Sequence, residues 1–387
     1  MDITVEHGDS FAAALAKIDL AAVDFVSIHG NCAGGPDTLT QLSGHGAMYG
    51  ALHGATSCLG AMSQQGQTTG AAVFAITDPD GAYGTATSAF SDGPRQAAAA
   101  ATQKALARAD RLGEQPALVW LAATPGAEED VLKGVEDIIG ADIPIIGGSA
   151  ADNSVSGDWF VFDATGSLTE GVIVSVLFPS TPVSLAYQSG YSPKPATAKV
   201  TKAQGRKILE LDGRPAMELY ADWTGGDVSA VADPTGTEAI LSDSTMWPLG
   251  RENSQVGDVP FYLLAHPAVA HGDGSMDLFA TVAEGETLTL MNGTQESLIE
   301  RAGRVAKLAC ETGRMPQSNV AGALMIYCGG CMLSVQDRIG DVVDGVNDAL
   351  GHAPFLGAFT FGEQGNLLNV GNRHGNLMIS CIAFAKE

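Results

Sequence analysis

Two glycine-flanked loops hold the residues best able to do chemistry. Gly147-Gly148-Ser149-Ala150-Ala151-Asp152-Asn153 follows the strand-like Pro144-Ile145-Ile146. That places it at a strand's carboxyl end, where α/β sheets present ligands. Its glycines let backbone amides approach a bound group, and Ser149, Asp152 and Asn153 supply a hydroxyl, a carboxylate and an amide. The same residue types also serve tight turns that bond their own backbone. Phe361-Gly362-Glu363-Gln364-Gly365-Asn366 and Asn372-Arg373-His374-Gly375-Asn376 put a carboxylate, amides, a guanidinium and an imidazole on consecutive loops. Glu363 and Arg373 would hold an ammonium and a carboxylate, as an amino-acid ligand requires. The plainer alternative is a hairpin with a weak surface pair.

Other motifs are more ambiguous. Cys328-Gly329-Gly330-Cys331 closes an apolar run; without a second Cys pair it cannot complete a four-ligand zinc site, and its central glycines disfavour the helical turn that activates a thiol. Leu59-Gly60-Ala61-Met62-Ser63-Gln64-Gln65-Gly66 echoes the stretch from Leu356 to Gly365, which includes Thr360; both pass from a small-residue strand to a hydroxyl, then an amide or acid, then Gly. His29-Gly30-Asn31-Cys32 leads through Pro36-Asp37-Thr38 toward a helical stretch, whose first amides would suit an anion or a simple cap. His53 and Cys58 lie close in sequence, as a nucleophilic pair or as an inert buried thiol. Phosphate-loop, dinucleotide, nucleophile-elbow and zinc-helix signatures are missing.

The 387 residues carry 20 Lys+Arg against 44 Asp+Glu, a net charge of −24. Such an excess repels phosphate backbones and anionic lipid, so neither nucleic acid nor a membrane is an expected partner. Six scattered cysteines make no disulfide framework. The first residues lack a secretory leader, and no stretch reaches the ~18 apolar residues of a spanning helix. The expected location is cytoplasmic.

These loops need a scaffold. Strand-like runs at 24–29, 70–77, 117–124, 143–146 and 171–178 alternate with helical patterns at 94–112 and 127–139. The second half repeats the mixture, with strands at 259–266, 287–291, 321–328, 355–361 and 377–384 and helices at 215–223, 294–312 and 335–350. The expected fold is α/β: two related mixed α/β domains in tandem, with a ligand pocket at or near their interface. Residues 1–23 read as an N-terminal extension, 24–190 as the first domain and 191–387 as the second. The boundary falls at the turn-rich Tyr191-Ser192-Pro193-Lys194-Pro195, where Lys194, Lys199, Lys202, Arg206 and Lys207 gather as an exposed linker or a docking patch.

At these residues the chain resembles the FIST family (F-box and intracellular signal transduction proteins). Its N-terminal module is matched by Leu59 to Gly66 and Gly147 to Asp152. Its C-terminal module is matched by Leu211-Asp212-Gly213-Arg214-Pro215-Ala216-Met217-Glu218-Leu219-Tyr220 and by Gly357 to Glu363. Ala61 replaces the family's usual Cys, and Gln364 stands where the pattern has Ile. The resemblance implies a small-ligand sensory protein for an amino acid or similar polar metabolite, signalling in trans through a separate protein such as a histidine kinase or cyclase. Ligand contacts are expected from Ser63, Gln64, Ser149, Asp152, Asn153, Cys331, Thr360, Glu363 and Arg373. No cofactor or metal is expected, but the resemblance also implies a haem-binding nitric oxide sensor as an alternative, with His53, His266 or His374 as axial ligand. A third reading is an enzyme using Glu363 and Asp152 in acid–base chemistry.

Overall fold

The computed structural model describes residues 1–33, 35, 51–256, 259–367 and 370–387, so the helical stretch read from Pro36 onward lies outside the described residues. Apolar runs without polar alternation, such as Leu118–Ala123, form strands buried on both faces. The first unit comprises β1 (Asp2–Gly8), α1 (Phe11–Leu15), β2 (Phe25–Gly30), β3 (Leu52–Thr56), β4 (Ala61–Ser63), β5 (Gly66–Thr68) and β6 (Ala71–Thr77). The second comprises β7 (Ala82–Ala89), α2 (Pro94–Arg108), β8 (Leu118–Ala123), α3 (Glu128–Ile139), β9 (Ile145–Ser149), β10 (Val161–Asp163), β11 (Gly166–Leu168) and β12 (Gly171–Phe178). The third opens with β13 (Val183–Ser189) and is interrupted by an insertion bearing α4 (Ala216–Trp223) and α5 (Leu241–Ser244). It then runs α6 (Gln295–Thr312), β14 (Val320–Cys328), α7 (Gly329–Ser334), α8 (Ile339–Leu350), β15 (Phe355–Thr360), β16 (Glu363–Leu367), β17 (Gly371–Gly375) and β18 (Met378–Ala385).

Each unit contributes four strands to its own sheet, in the orders β1-β6-β2-β3, β7-β12-β8-β9 and β13-β18-β14-β15. One pair per sheet is parallel: β2 with β3, β8 with β9, β14 with β15. Every sheet is then completed by a hairpin from another unit. β10 and β11 extend β3, β16 and β17 extend β9, and β4 and β5 extend β15. The exchange is cyclic, so no sheet can leave without breaking a ladder to a neighbour. The two stretches that echo each other in sequence are neighbours across one ladder, with Met62 opposite Gly357 and Ser63 opposite Leu356. The fold is mixed α/β, as the sequence pattern implies, and the three-unit plan adds a symmetry that the two-part reading did not contain.

The inner faces of all three sheets meet in one core, where Phe25, Phe74, Trp120, Ile146, Ile326 and Phe384 pack together. Helices α2 and α3 cover the outside of the second sheet, and α6 and α8 that of the third. Pro94 suits the start of α2, the Thr294/Ser297 capping box opens α6, and Glu128, Glu129 and Asp130 sit in the first turn of α3. Residues 1–23 supply edge strand β1 and α1. The insertion is a nine-stranded sheet with its own core around Tyr220 and Leu288. Its first strand, Ser192–Gln204, takes in Lys194, Lys199 and Lys202 of the cluster read as a linker, and Lys207 opens the next strand. The register shifts between Pro193 and Thr197, where the prolines that read as turns cannot donate to a ladder. Among the described residues no helix is long and apolar enough to cross a membrane.

Candidate functional site

Strands β8, β14 and β15 end on the same side of the molecule, and the inserted sheet closes over their carboxyl ends. Between them lies a cavity of about 590 Å³. Its wall is built from Gly126 and Glu128 after β8, Cys328 and Gly330 at the end of β14, and Phe361 and Glu363 after β15; the insertion adds Leu241, His266 and Phe279. Trp159 meets Phe361 edge-on at 6.2 Å. Val155 and Leu333, apolar yet 45% and 48% exposed, line the same space.

Glu363 is fully buried. It accepts hydrogen bonds from Thr360 Oγ1 and from the Met378 amide, both at 2.9 Å. Burial, with Cys328 beside it, pushes its carboxyl well above the ordinary range, so the neutral acid is favoured. The Cys328 thiol is also pushed well up, by its hydrogen bond with the Cys331 thiol and by burial. Neither group is an activated nucleophile. Glu363→Gln keeps a carbonyl to accept the Met378 amide and turns its NH2 toward the Thr360 hydroxyl, which can accept, while removing the ionisation. A carboxyl whose folded pKa is raised stabilises fully at low pH and loses that contribution as pH rises. The variant is therefore expected to gain on the wild type as pH rises from about 5 through neutral, by at most ~1.4 kcal/mol per pH unit. Denaturation midpoints measured across that range check this; parallel curves would show that Glu363 is ionised in the folded protein.

Glu128 is 2% exposed. It accepts from Ser149 Oγ at 2.8 Å, the Gly126 amide at 3.1 Å and Arg206 Nη2 at 2.6 Å. The same Arg206 nitrogen donates to Glu129 at 2.7 Å, tying the insertion to α3. His266 is buried, its Nε2 lies 3.0 Å from the Leu241 carbonyl, and burial lowers it to about 4, so the ring is neutral. The carbonyl can only accept, so Nε2 carries the proton.

The residues expected to contact a ligand are dispersed. Glu363 lines the cavity, Thr360 stands behind it, and Ser149 stands behind Glu128. Cys331 is buried beneath Cys328, 3.5 Å from the Tyr191 hydroxyl. The Cys-x-x-Cys does open a helix, α7, contrary to the glycine-based expectation; Gly329 leaves room there for Phe361 and the Thr360 carbonyl, each about 3.2 Å from where a Cβ would stand. Asp152 accepts the amides of Ser154, Val155, Ser156, Gly157 and Asp158, closing its own turn. Asn153 ties Leu59 to Asn31. Ser63 bonds the Gln65 amide and Gln64 the Phe355 amide on the β4–β5 hairpin. Arg373 lies opposite Gly365 in the β16–β17 hairpin, and it lines a different cavity from Glu363. His53 sits in the core against Ser175, and His374 reaches Gln364 and the Phe279 carbonyl. Nothing in the sequence marks Trp159, Phe279, Glu128 or Arg206 as ligand contacts; Glu128 opens a helical pattern, and Arg206 reads only as one of the charges gathered near the linker.

This architecture defines an α/β protein with a cleft at strand carboxyl ends beneath an inserted sheet. The FIST N domain matches residues 38–214 and the FIST C domain residues 216–366, and the chain belongs to the FIST domain family. FIST domains are small-ligand sensory domains of signalling proteins. An uncharacterized protein of Methanocaldococcus jannaschii is 34% identical over 98 residues, which cover 25% of this chain and 18% of that protein. Cyanuric acid hydrolase from A. caulinodans superposes over 99% of both chains with a TM-score of 0.41 and 11% identity. T. maritima PurL complexed with ATP does so over 79% and 72% with a TM-score of 0.21 and 10% identity.

Proposed function

We propose that the chain senses a neutral, largely apolar small molecule in the 590 Å³ cavity, and that it signals through a separate protein such as a histidine kinase or cyclase. The observation that carries this reading is an aromatic wall whose charged groups are already satisfied. Arg206 is held by two carboxylates, and Glu363 and His266 favour their neutral forms. A charged ligand here would be desolvated without a partner. The amino acid expected from the sequence is such a ligand, since Arg373, its intended carboxylate partner, lines another cavity. Asp152 is committed to its own turn, and the other carboxylate of the wall, Glu128, is held by Ser149, the Gly126 amide and Arg206, so neither is free to pair with Glu363 in acid–base chemistry. The inserted sheet is the element a ligand would draw against the strand ends, and that shift is the signal.

Haem does not fit this lining. His266 commits Nε2 to a carbonyl, and the propionates would meet an Arg206 that is already doubly paired. The test is thermal unfolding with indole, with L-leucine and L-glutamate, and with haemin. Indole is expected to stabilise, by ~2.7 kcal/mol at a hundredfold excess over its Kd, and Phe279→Asp to remove the effect. Stabilisation by the amino acids but not indole would overturn the reading, as would a Soret band with haemin that His266→Ala abolishes.

A further inference from the structure

On the far side of Arg206 lies a second cavity of about 640 Å³, bounded by α3, the inserted sheet and the β16–β17 hairpin. Arg206 and Gly126 line both spaces. We propose that this second cavity is a binding site for a small carboxylate anion, gripped between the guanidiniums of Arg251 and Arg373.

The acidic groups of this cavity are already engaged. Glu129 takes Arg206 Nη2 and the Thr281 amide, Asp130 takes Lys133, and Glu136 takes Asn372 Nδ2. Glu286 takes the Ala283 amide and stands 3.9 Å from Arg251. His374 directs Nε2 to the Phe279 carbonyl. The two arginines are engaged less fully: Glu286 stands beyond hydrogen-bond reach of Arg251, and each guanidinium keeps donors without a carboxylate partner. Arg251, on the inserted strand Leu249–Val256, has a side chain only 16% exposed; Nη1 donates to the Thr281 carbonyl at 2.8 Å, and among the described residues its buried Nε has no partner. Arg373 donates Nη1 to the Asn372 carbonyl at 2.7 Å, and no carboxylate among the described residues lies within 4.0 Å of it. Burial lowers Arg251 from its ordinary range, and Arg373 adds to the effect, which places the two cations within each other's field.

In a chain of net charge −24, two under-neutralised guanidiniums facing one concave space form an anion receptor. Their planar forks match carboxylates, and two forks on one space match the two carboxylates of a small dicarboxylate, which a single tetrahedral anion does not supply. The site stands apart from the neutral-ligand cavity, so either assignment can fail alone.

Calorimetric titration of the full chain with L-malate tests the assignment, with inorganic phosphate and sulfate as parallel probes. Saturable malate binding is expected, weakened at least about tenfold in Arg373→Gln. Arg251→Gln should do the same, and the Arg373 variant keeps the test decisive if Arg251→Gln does not fold. Neither variant should alter stabilisation by indole. Absence of saturable malate binding, or phosphate or sulfate binding as tightly as malate, would overturn the carboxylate assignment; so would malate binding unchanged in Arg373→Gln.

Discussion

Gly147→Val is expected to destabilise the protein by about 4 kcal/mol or more, the upper range for one substitution. Gly147 lies in β9, opposite Leu121 of β8 on one side and Gln364 of the incoming β16 on the other. A Cβ there would overlap the Leu121 carbonyl oxygen, and Leu121 is fixed in turn by β12. Neither neighbour can move without opening a second ladder, because β16 belongs to the third unit and β8 to the second. The same place in the other two sheets is also glycine: Gly54 lies opposite Phe162, and Gly357 opposite Met62. Each thus marks the point where a donated hairpin crosses a central strand. Gly340→Ala in α8 is the control, an exposed helical glycine with open space around its Cβ position, and should stabilise by ~0.5–1 kcal/mol. Denaturant midpoints for the two variants decide the matter. A loss below about 1 kcal/mol for Gly147→Val would mean that the crossing is loose.

Those crossing glycines show why part of this fold was legible in the sequence and part was not. Strands such as Gly171–Phe178 and helices such as Gln295–Thr312 follow from local apolar periodicity and capping, which are written within a dozen residues. The cyclic exchange is written between residues hundreds of positions apart, in strands of three residues such as β4, and the insertion splits the third unit. The echo between the stretches at 59–66 and 356–365 marks strands that pair with each other, β4 with β15, where cross-strand partners share small residues for close packing. The site divides in the same way. Glu363 was readable because a carboxylate between glycines after an apolar strand has few structural uses. Asp152 also follows an apolar strand and its glycines, and only the five amides converging on it show that it serves a turn. Phe279, His266 and Arg206 reach the site from an inserted sheet whose docking depends on contacts between distant segments.

Arg206→Met should lower stability at neutral pH by ~3 kcal/mol, because it leaves Glu128 buried without its cation. The lower end of the range for broken buried pairs applies, since the Arg206 side chain is 24% exposed and partly screened. The pH dependence identifies the cause. Burial pushes both Glu128 and Glu129 upward, but His374 and Arg206 outweigh it, holding Glu128 below the ordinary carboxylate range and Glu129 at about 2. A carboxylate with a depressed folded pKa stabilises above its unfolded pKa and loses that contribution as pH falls through the folded value. The wild type should therefore weaken between about pH 4.5 and about pH 2. The variant has already lost the part of this stabilisation that Arg206 supplies, so its slope should be shallower and the two curves should draw together at low pH, and Arg206→Lys, which retains the charge, should recover much of the slope. Equal stability at neutral pH would show that the ion pair does not dock the insertion. Because Arg206 walls both cavities, its loss should abolish the indole and malate responses together, whereas Phe279→Asp and Arg373→Gln should each abolish only one.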